Sequence, residues 1–191
     1  MFGDVLLFLL DFLLQPFAAT LLLRFHLQWL QAPMSNPIGE FVMTLTDFVV
    51  LRVRRFIPAV WKLDSASLLL AFIAELAYLA ILLSLQGFPF QDSPLPGLLL
   101  LTLAKLLKTS LYLLMAALLA EAVLSWVNPY TPLAPLLAAI TWRFLQPLRR
   151  ILPMAGNMDF SPLVLLLICQ FIVMSPLRTL EQAAVAMAGN L

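Results

Sequence analysis

Apolar residues gather in four long stretches, from about Val5 to Gln31, Ser65 to Gln86, Leu98 to Val127 and Phe160 to Leu177. Each has, or nearly has, the roughly 20 apolar residues a helix needs to cross a hydrocarbon core about 30 Å thick. The third is longer than a perpendicular crossing requires, which predicts tilt or protrusion into the interface. Between the first two stretches, Ile38, Phe41, Val42, Leu45, Phe48, Val49 and Phe56 recur at steps of three and four. Glu40, Thr44, Asp47, Arg54 and Arg55 fall on other faces, so the spacing predicts an amphipathic helix over about 38–57. Leu133, Leu136, Leu137, Ile140, Phe144, Leu148 and Ile151 predict another over about 133–152, with a kink at Pro147 where the first connection has Arg52.

The segment 87–97, with three prolines between Gly87 and Gly97, reads as a short turn without Lys or Arg. Sliding the chain by 95 positions sets Pro37 on Pro132, Thr46 on Thr141, Arg54 and Arg55 on Arg149 and Arg150, Pro58 on Pro153, and Asp64 on Asp159. The chain is therefore a duplicated hairpin, with one repeat over 1–86 and the other over 98–191, the latter ending in a tail beyond the fourth span. Two spans per copy return the chain to its starting side, so the copies are parallel. The predicted fold class is an all-α membrane protein: four transmembrane helices as two parallel-repeat hairpins, each with an amphipathic basic helix in its cytoplasmic connection.

Composition agrees. Hydrophobic residues make up 63% of the 191 and charged residues 11%, proportions that suit a bilayer rather than water. A net charge of +1 excludes a general attraction to nucleic acid, so placement carries the electrostatic signal. Seven of the eleven Lys and Arg residues lie in the two long connections: Arg52, Arg54, Arg55, Lys62, Arg143, Arg149 and Arg150. The positive-inside rule makes that side cytoplasmic and puts both termini outside. No basic segment precedes the first apolar stretch and no cleavage site follows it, so it reads as a retained span. The single Cys169 excludes an intrachain disulfide and reads as a small buried hydrophobe.

Six ionisable residues fall inside the predicted spans: Asp11, Arg24, Glu75, Lys105, Lys108 and Glu121. Charge in hydrocarbon needs partners. Matching depth along the helices pairs Glu75 with Lys108 across the turn and Arg24 with Glu121 near the cytoplasmic face, close to His26. The repeat offset carries Asp11 to position 106, beside Lys105, as a third pair. Interhelical fastening is the plain reading of such pairs, and a proton or ion path is the functional one. Ser67, Ala71, Ala74, Ala77 and Ala80 form a small-residue stripe open to close helix approach, and the predicted spans hold no glycine.

Other chemistry is not legible. One His and one Cys give no metal cluster, the scattered glycines give no phosphate loop, and no nucleophile with its base stands out, so no catalytic, cofactor or metal site is expected. Asp64 with Ser65, and Asp159 with Ser161 and Pro162, read as starts of spans two and four. Arg52, Arg54, Arg55, Arg143, Arg149 and Arg150 form a candidate surface for anionic lipid headgroups or a protein partner. The same residues also fix orientation.

The doubled pattern of Asn36-Pro37, Arg54-Arg55-Phe56-Ile57-Pro58 and Asp64-Ser65-Ala66-Ser67-Leu68, with Pro147 to Pro153 and Asp159-Phe160-Ser161-Pro162, resembles the YggT family, called YlmG in some bacteria. The resemblance covers nearly the whole chain. It implies a multi-pass protein of the bacterial inner membrane with no assigned enzymatic activity. Bacterial members have been connected with osmotic and ionic stress tolerance and division-associated gene neighbourhoods, and plastid relatives with cytochrome complex assembly and nucleoid distribution. The expectation is a non-enzymatic membrane organiser that meets anionic lipid headgroups and a membrane-protein partner or further copies of itself. The alternative is a small, oligomeric ion channel or transporter in osmotic or ionic homeostasis.

Overall fold

The computed structural model describes residues 2–57, 64–90, 93–128, 130–152 and 159–189. Seven helices follow one another among them: α1 (Phe2–Trp29), α2 (Pro37–Val53), α3 (Ser65–Leu85), α4 (Leu95–Val127), α5 (Ala134–Ile151), α6 (Ser161–Met174) and α7 (Pro176–Ala188). Four stretches are long and apolar enough to cross a membrane: Val5–Trp29, Ser65–Leu85, Leu95–Leu124 and Ser161–Ala188. Pro58, Pro153 and Lys62, which figured in the repeat and the charge pattern, lie outside the described residues.

Helix ends follow local chemistry. The N–H groups of Gly87 and Phe88 return to Ser84 and Leu83, closing α3 with Gly87 in the left-handed region at φ 70°. Gln31 at φ 54° closes α1 in the same manner, through Gln31 to Gln28 and Ala32 to Leu27. Asn36 accepts from the N–H of Gly39 to cap α2, ahead of Pro37 at the first turn. Asp64 caps α3 through the N–H of Ser67, as the sequence predicted for that start. Pro147 lies inside α5, which continues to Ile151.

The fourth crossing departs from expectation. Leu177 is not its end, because α7 follows α6 directly, and the apolar helix carries on to Ala188. Pro176 lacks an N–H and cannot continue the hydrogen-bond ladder of α6, yet it suits the first turn of a new helix. The expected tail is therefore the second half of a span, packed on α4. The glycine expectation fails too: α4 starts at Leu95 and contains Gly97. A Cβ there would strike the backbone of α7, at the N and Cα of Ala188 and the carbonyl of Ala184, so the two helices cross where only hydrogen fits between them. In the small-residue stripe of α3, Ser67 and Ala71 are buried while Ala77 is exposed.

The repeats match in packing. In the first, α1 packs on α3 and α2 on both; in the second, α4 packs on α6 and α7, and α5 on α4 and α6. Helix α4 also touches α1 and α3, which joins the copies. Both α2 and α5 sit at one end of the bundle, opposite the turn between α3 and α4. Buried side chains form three groups along its length. Tyr78, Leu79, Leu101 and Ala184 meet at the turn end, Leu21, Val50, Ala71 and Leu106 where α2 packs on the spans, and Leu118, Leu136, Leu145 and Cys169 in the second repeat. Outward-facing Phe8, Phe12, Leu103, Leu107, Leu119 and Phe171 make the perimeter apolar, as lipid demands. Helix α2 buries Gly39, Val42, Thr46 and Val50 and turns Phe41, Leu45 and Phe48 outward.

Candidate functional site

Polar chemistry is concentrated at two levels. At the α2/α5 end each repeat closes its corner with one ion pair. Arg54 Nε and Nη2 meet the Asp64 carboxylate at 3.2 and 2.8 Å, and Arg149 Nε meets Asp159 Oδ2 at 2.7 Å. The sequence offset aligned all four residues, but the arginines read as a docking surface and the aspartates as caps. The structure joins them: each arginine, at the end of the connecting helix, grips the carboxylate that opens the next span. Burial alone would raise the Asp64 carboxyl, yet hydrogen bonds from Arg54 and Ser67 and the Arg54 charge outweigh it and hold it below the ordinary range. Asp159 is lowered likewise, burial being overcome by Ser161 and Arg149.

Arg24 reaches this corner from α1 and is only 3% exposed. Its Nη1 donates to Thr46 Oγ1 at 2.6 Å and Asp47 Oδ1 at 2.7 Å, and its Nε lies 3.4 Å from Asp64 Oδ2. The predicted partner, Glu121, instead accepts from Thr141 Oγ1 at 2.6 Å. Depth was the wrong criterion, because folding α2 and α5 back against the spans brings threonines and Asp47 to the same level at closer range. Thr46 and Thr141 are equivalent in the repeat, both fully buried, and each serves an ionisable residue of its repeat's first span, Arg24 and Glu121 respectively. One meets a cation, the other a carboxylate, and a hydroxyl can do both.

The second level lies toward the turn end. Tyr78 Oη donates to Asp11 Oδ1 at 2.6 Å, and Gln15 Nε2 is 3.5 Å from Glu75 Oε1. Glu75 is 3% exposed, with Lys105 near enough to act on it electrostatically. Lys108 Nζ meets both Glu181 carboxylate oxygens at 3.0 Å, and Lys105 Nζ lies 3.6 Å from Glu181 Oε1. The expected pairs of Glu75 with Lys108 and Asp11 with Lys105 do not form among the described residues. Glu181 displaces them, and it had been invisible because the fourth span was ended too early. Tyr78, Gln15 and Asp47 were missed as well, since only charges inside predicted spans were matched.

These contacts divide the six basic surface candidates. Arg54 and Arg149 are committed to corner pairs, whereas Arg52, Arg55, Arg143 and Arg150 are exposed and form no ion pair among the described residues. Arg143 holds its guanidinium 5.2 Å over the Trp29 ring, and Arg149 lies 5.5 Å over Trp142. No group of three or more His, Cys, Asp or Glu able to hold a metal occurs among the described residues.

Comparison with known proteins agrees with the duplicated architecture. The CCB3/YggT family model matches residues 3–85 and again 100–180. "Uncharacterized protein YggT" of Escherichia coli K12 is 35% identical over 179 residues, covering 93% of this chain and 92% of that protein. A protein from the proC 3' region of Vibrio alginolyticus is 32% identical over 166 residues, or 86% of this chain and 89% of its own length. A Haemophilus influenzae protein is 31% identical over 156 residues, covering 81% and 82% respectively. No solved structure matches the chain. Two family matches, one per repeat, and relatives aligned over most of both lengths place this chain in the CCB3/YggT family.

Proposed function

We propose that this is a non-enzymatic protein of the bacterial inner membrane that assists the assembly or spatial organisation of membrane complexes, with its α2/α5 end as a cytoplasmic docking surface. The observation that carries the reading is the residue left over once the corner pairs are removed. Arg52, Arg55 and Arg150 remain exposed and unpaired among the described residues, on connections that both repeats present at the same end. No ion pair among the described residues uses them there, whereas an anionic headgroup layer or an acidic partner would. The positive-inside rule supports the same orientation, with both termini outside.

The test replaces Arg52, Arg55 and Arg150 with Gln and leaves Arg54 and Arg149 in place. The variant should fold, insert and keep its topology, while in-membrane crosslinks to partners, and any phenotype of deletion, follow the null strain. Unchanged crosslinks and full complementation sink the proposal. The turn-end network of Glu75, Lys105, Lys108 and Glu181 favours a second reading, a small oligomeric channel or transporter in osmotic or ionic homeostasis. Purified protein in liposomes that dissipates a proton or monovalent-cation gradient, and loses that activity on Glu75→Gln, would favour it over the organiser. No flux above protein-free liposomes counts against it.

A further inference from the structure

We propose that the space between the two repeats at the α2/α5 end binds one anionic phospholipid, an acyl chain lying among α1, α4 and α5 and the headgroup against Arg143. The proposal does not depend on the organising role above. A cavity of about 560 Å³ opens there, within the range of small-molecule sites. Its walls are Leu23 and Leu27 of α1, Leu114 and Ala117 of α4, and Leu136 and Ile140 of α5, with others of the same kind. Two polar side chains reach it, and both are turned to their own helices. Ser110 Oγ donates to the Leu106 carbonyl at 2.8 Å, and His26 Nδ1 lies 2.7 Å from the Leu22 carbonyl, which can only accept, so Nδ1 carries the proton. A cavity so lined, inside a span, offers water few polar partners and hydrocarbon many apolar ones.

The chemistry changes at its mouth. Trp29 and Leu30 belong to this wall and also to that of an adjoining recess of about 630 Å³, lined by Gln31, Trp142, Arg143 and Gln146. Apolar groove and polar recess thus adjoin at Trp29 and Leu30, in the order in which a phospholipid presents acyl chain and phosphate. No carboxylate lines either space among the described residues, and Arg143 makes no ion pair there. Its guanidinium is held 5.2 Å over Trp29, at the junction of the two spaces. A planar guanidinium placed by stacking suits a phosphate oxygen better than a mobile lysine would. Charge therefore selects an anionic headgroup, and the apolar groove selects a lipid over free phosphate.

The full chain purified in mild detergent should retain about one phospholipid, enriched in anionic over zwitterionic headgroups, by native mass spectrometry and lipid extraction. Arg143→Gln should keep the lipid but lower the anionic preference about fivefold, the effect of one basic residue at a membrane surface. Ala117→Phe, which fills the groove, should lower total retained lipid. A second measurement needs no variant of the site. With Trp61 and Trp126 replaced by Phe, acyl-brominated phosphatidylglycerol diluted in a plain bilayer should quench Trp29 and Trp142 at lower mole fraction than brominated phosphatidylcholine. Equal quenching by the two lipids overturns the proposal. So does an Arg143→Gln lipid composition identical to wild type, an Ala117→Phe protein with undiminished lipid, or co-purification of a protein segment in place of lipid.

Discussion

Glu181→Gln isolates the strongest claim about charge inside the span. Glu181 is the carboxylate that Lys105 and Lys108 share, and Lys108 meets both its oxygens at 3.0 Å. Lys105 lies ten residues into α4, about 15 Å along it, near the middle of a hydrocarbon core about 30 Å thick. An unpaired lysine at that depth costs about 2.5–3.5 kcal/mol on insertion scales. Snorkelling of long, partly exposed stems recovers part of this, so Glu181→Gln should cost about 2–4 kcal/mol rather than the sum for two lysines. Lys108→Gln should cost less, because Lys105 still serves the carboxylate at 3.6 Å, and Lys105→Gln least. Thermal unfolding in detergent should show the first as a drop of about 5–15 °C. Exchanging the charges in Lys108→Glu with Glu181→Lys should recover most of the loss, while exchanging Glu75 and Lys108 should not. Wild-type melting of Glu181→Gln, or rescue by the Glu75 and Lys108 exchange, would refute the pairing.

Two further predictions concern packing and acid. At Gly97, alanine would gain about 1 kcal/mol of helix propensity but drive a Cβ against backbone atoms of Ala184 and Ala188, an overpacking that costs about 1–3 kcal/mol. The clash wins, so Gly97→Ala should lower the melting temperature and Gly97→Leu lower it further; a stabilised alanine variant would mean α7 does not cross so closely. The carboxyls of Asp64 and Asp159 are both lowered, so their stabilisation is complete above the unfolded value of about 3.9 and is lost as pH falls through the lower folded values. Asp64 is buried among Arg24 and Arg54, whereas Asp159 and Arg149 are partly exposed, so Asp64→Asn should cost about 3–5 kcal/mol and Asp159→Asn under about 1 kcal/mol. Equal losses in chemical or thermal unfolding would contradict that ranking.

Sequence periodicity located three of the spans and both connecting helices because each carries a long, one-valued signal, either uniform apolarity or a repeat of three and four. It truncated the fourth span for a local reason. Pro176, Arg178 and Glu181 look like a helix end followed by polar tail, and only packing against α4 shows that Pro176 opens a new helix and that Glu181 faces Lys108. The charge pairs failed for a geometric reason. Counting residues from a turn gives depth but not the direction a side chain points around its helix, and it ignores connecting helices that fold back into the bundle. Arg24 illustrates both, taking Asp47 from α2 in preference to a carboxylate at matching depth on another span. The corner pairs were within reach, since the 95-residue offset copies both partners together. A co-copied Arg and Asp ten residues apart is a stronger pairing signal than depth.

What the duplication preserves and what it changes separate cleanly along the bundle. Arg54 with Asp64 recurs as Arg149 with Asp159, and Thr46 recurs as Thr141, so each copy carries its own means of folding the connecting helix onto the next span. The turn end shows the opposite. At the same offset Glu75 corresponds to Gln170, Glu181 to Gln86, and Lys105 and Lys108 to Leu10 and Leu13. In a parallel repeat, equivalent positions face related environments, and two copies of the same buried carboxylate would have needed two sets of cations. Replacing one member of each related pair by a neutral residue of similar size, or by leucine, leaves a single network in which Lys105 on α4 meets Glu181 on α7 and acts electrostatically on Glu75 of α3. That lysine links the second hairpin to the first through charge. The corner chemistry therefore builds each hairpin, and the diverged charges specify how the two are set against each other. Loss of a corner pair should then damage one repeat's fold, while loss of Lys105 should loosen the α3–α4 contact and leave both hairpins formed.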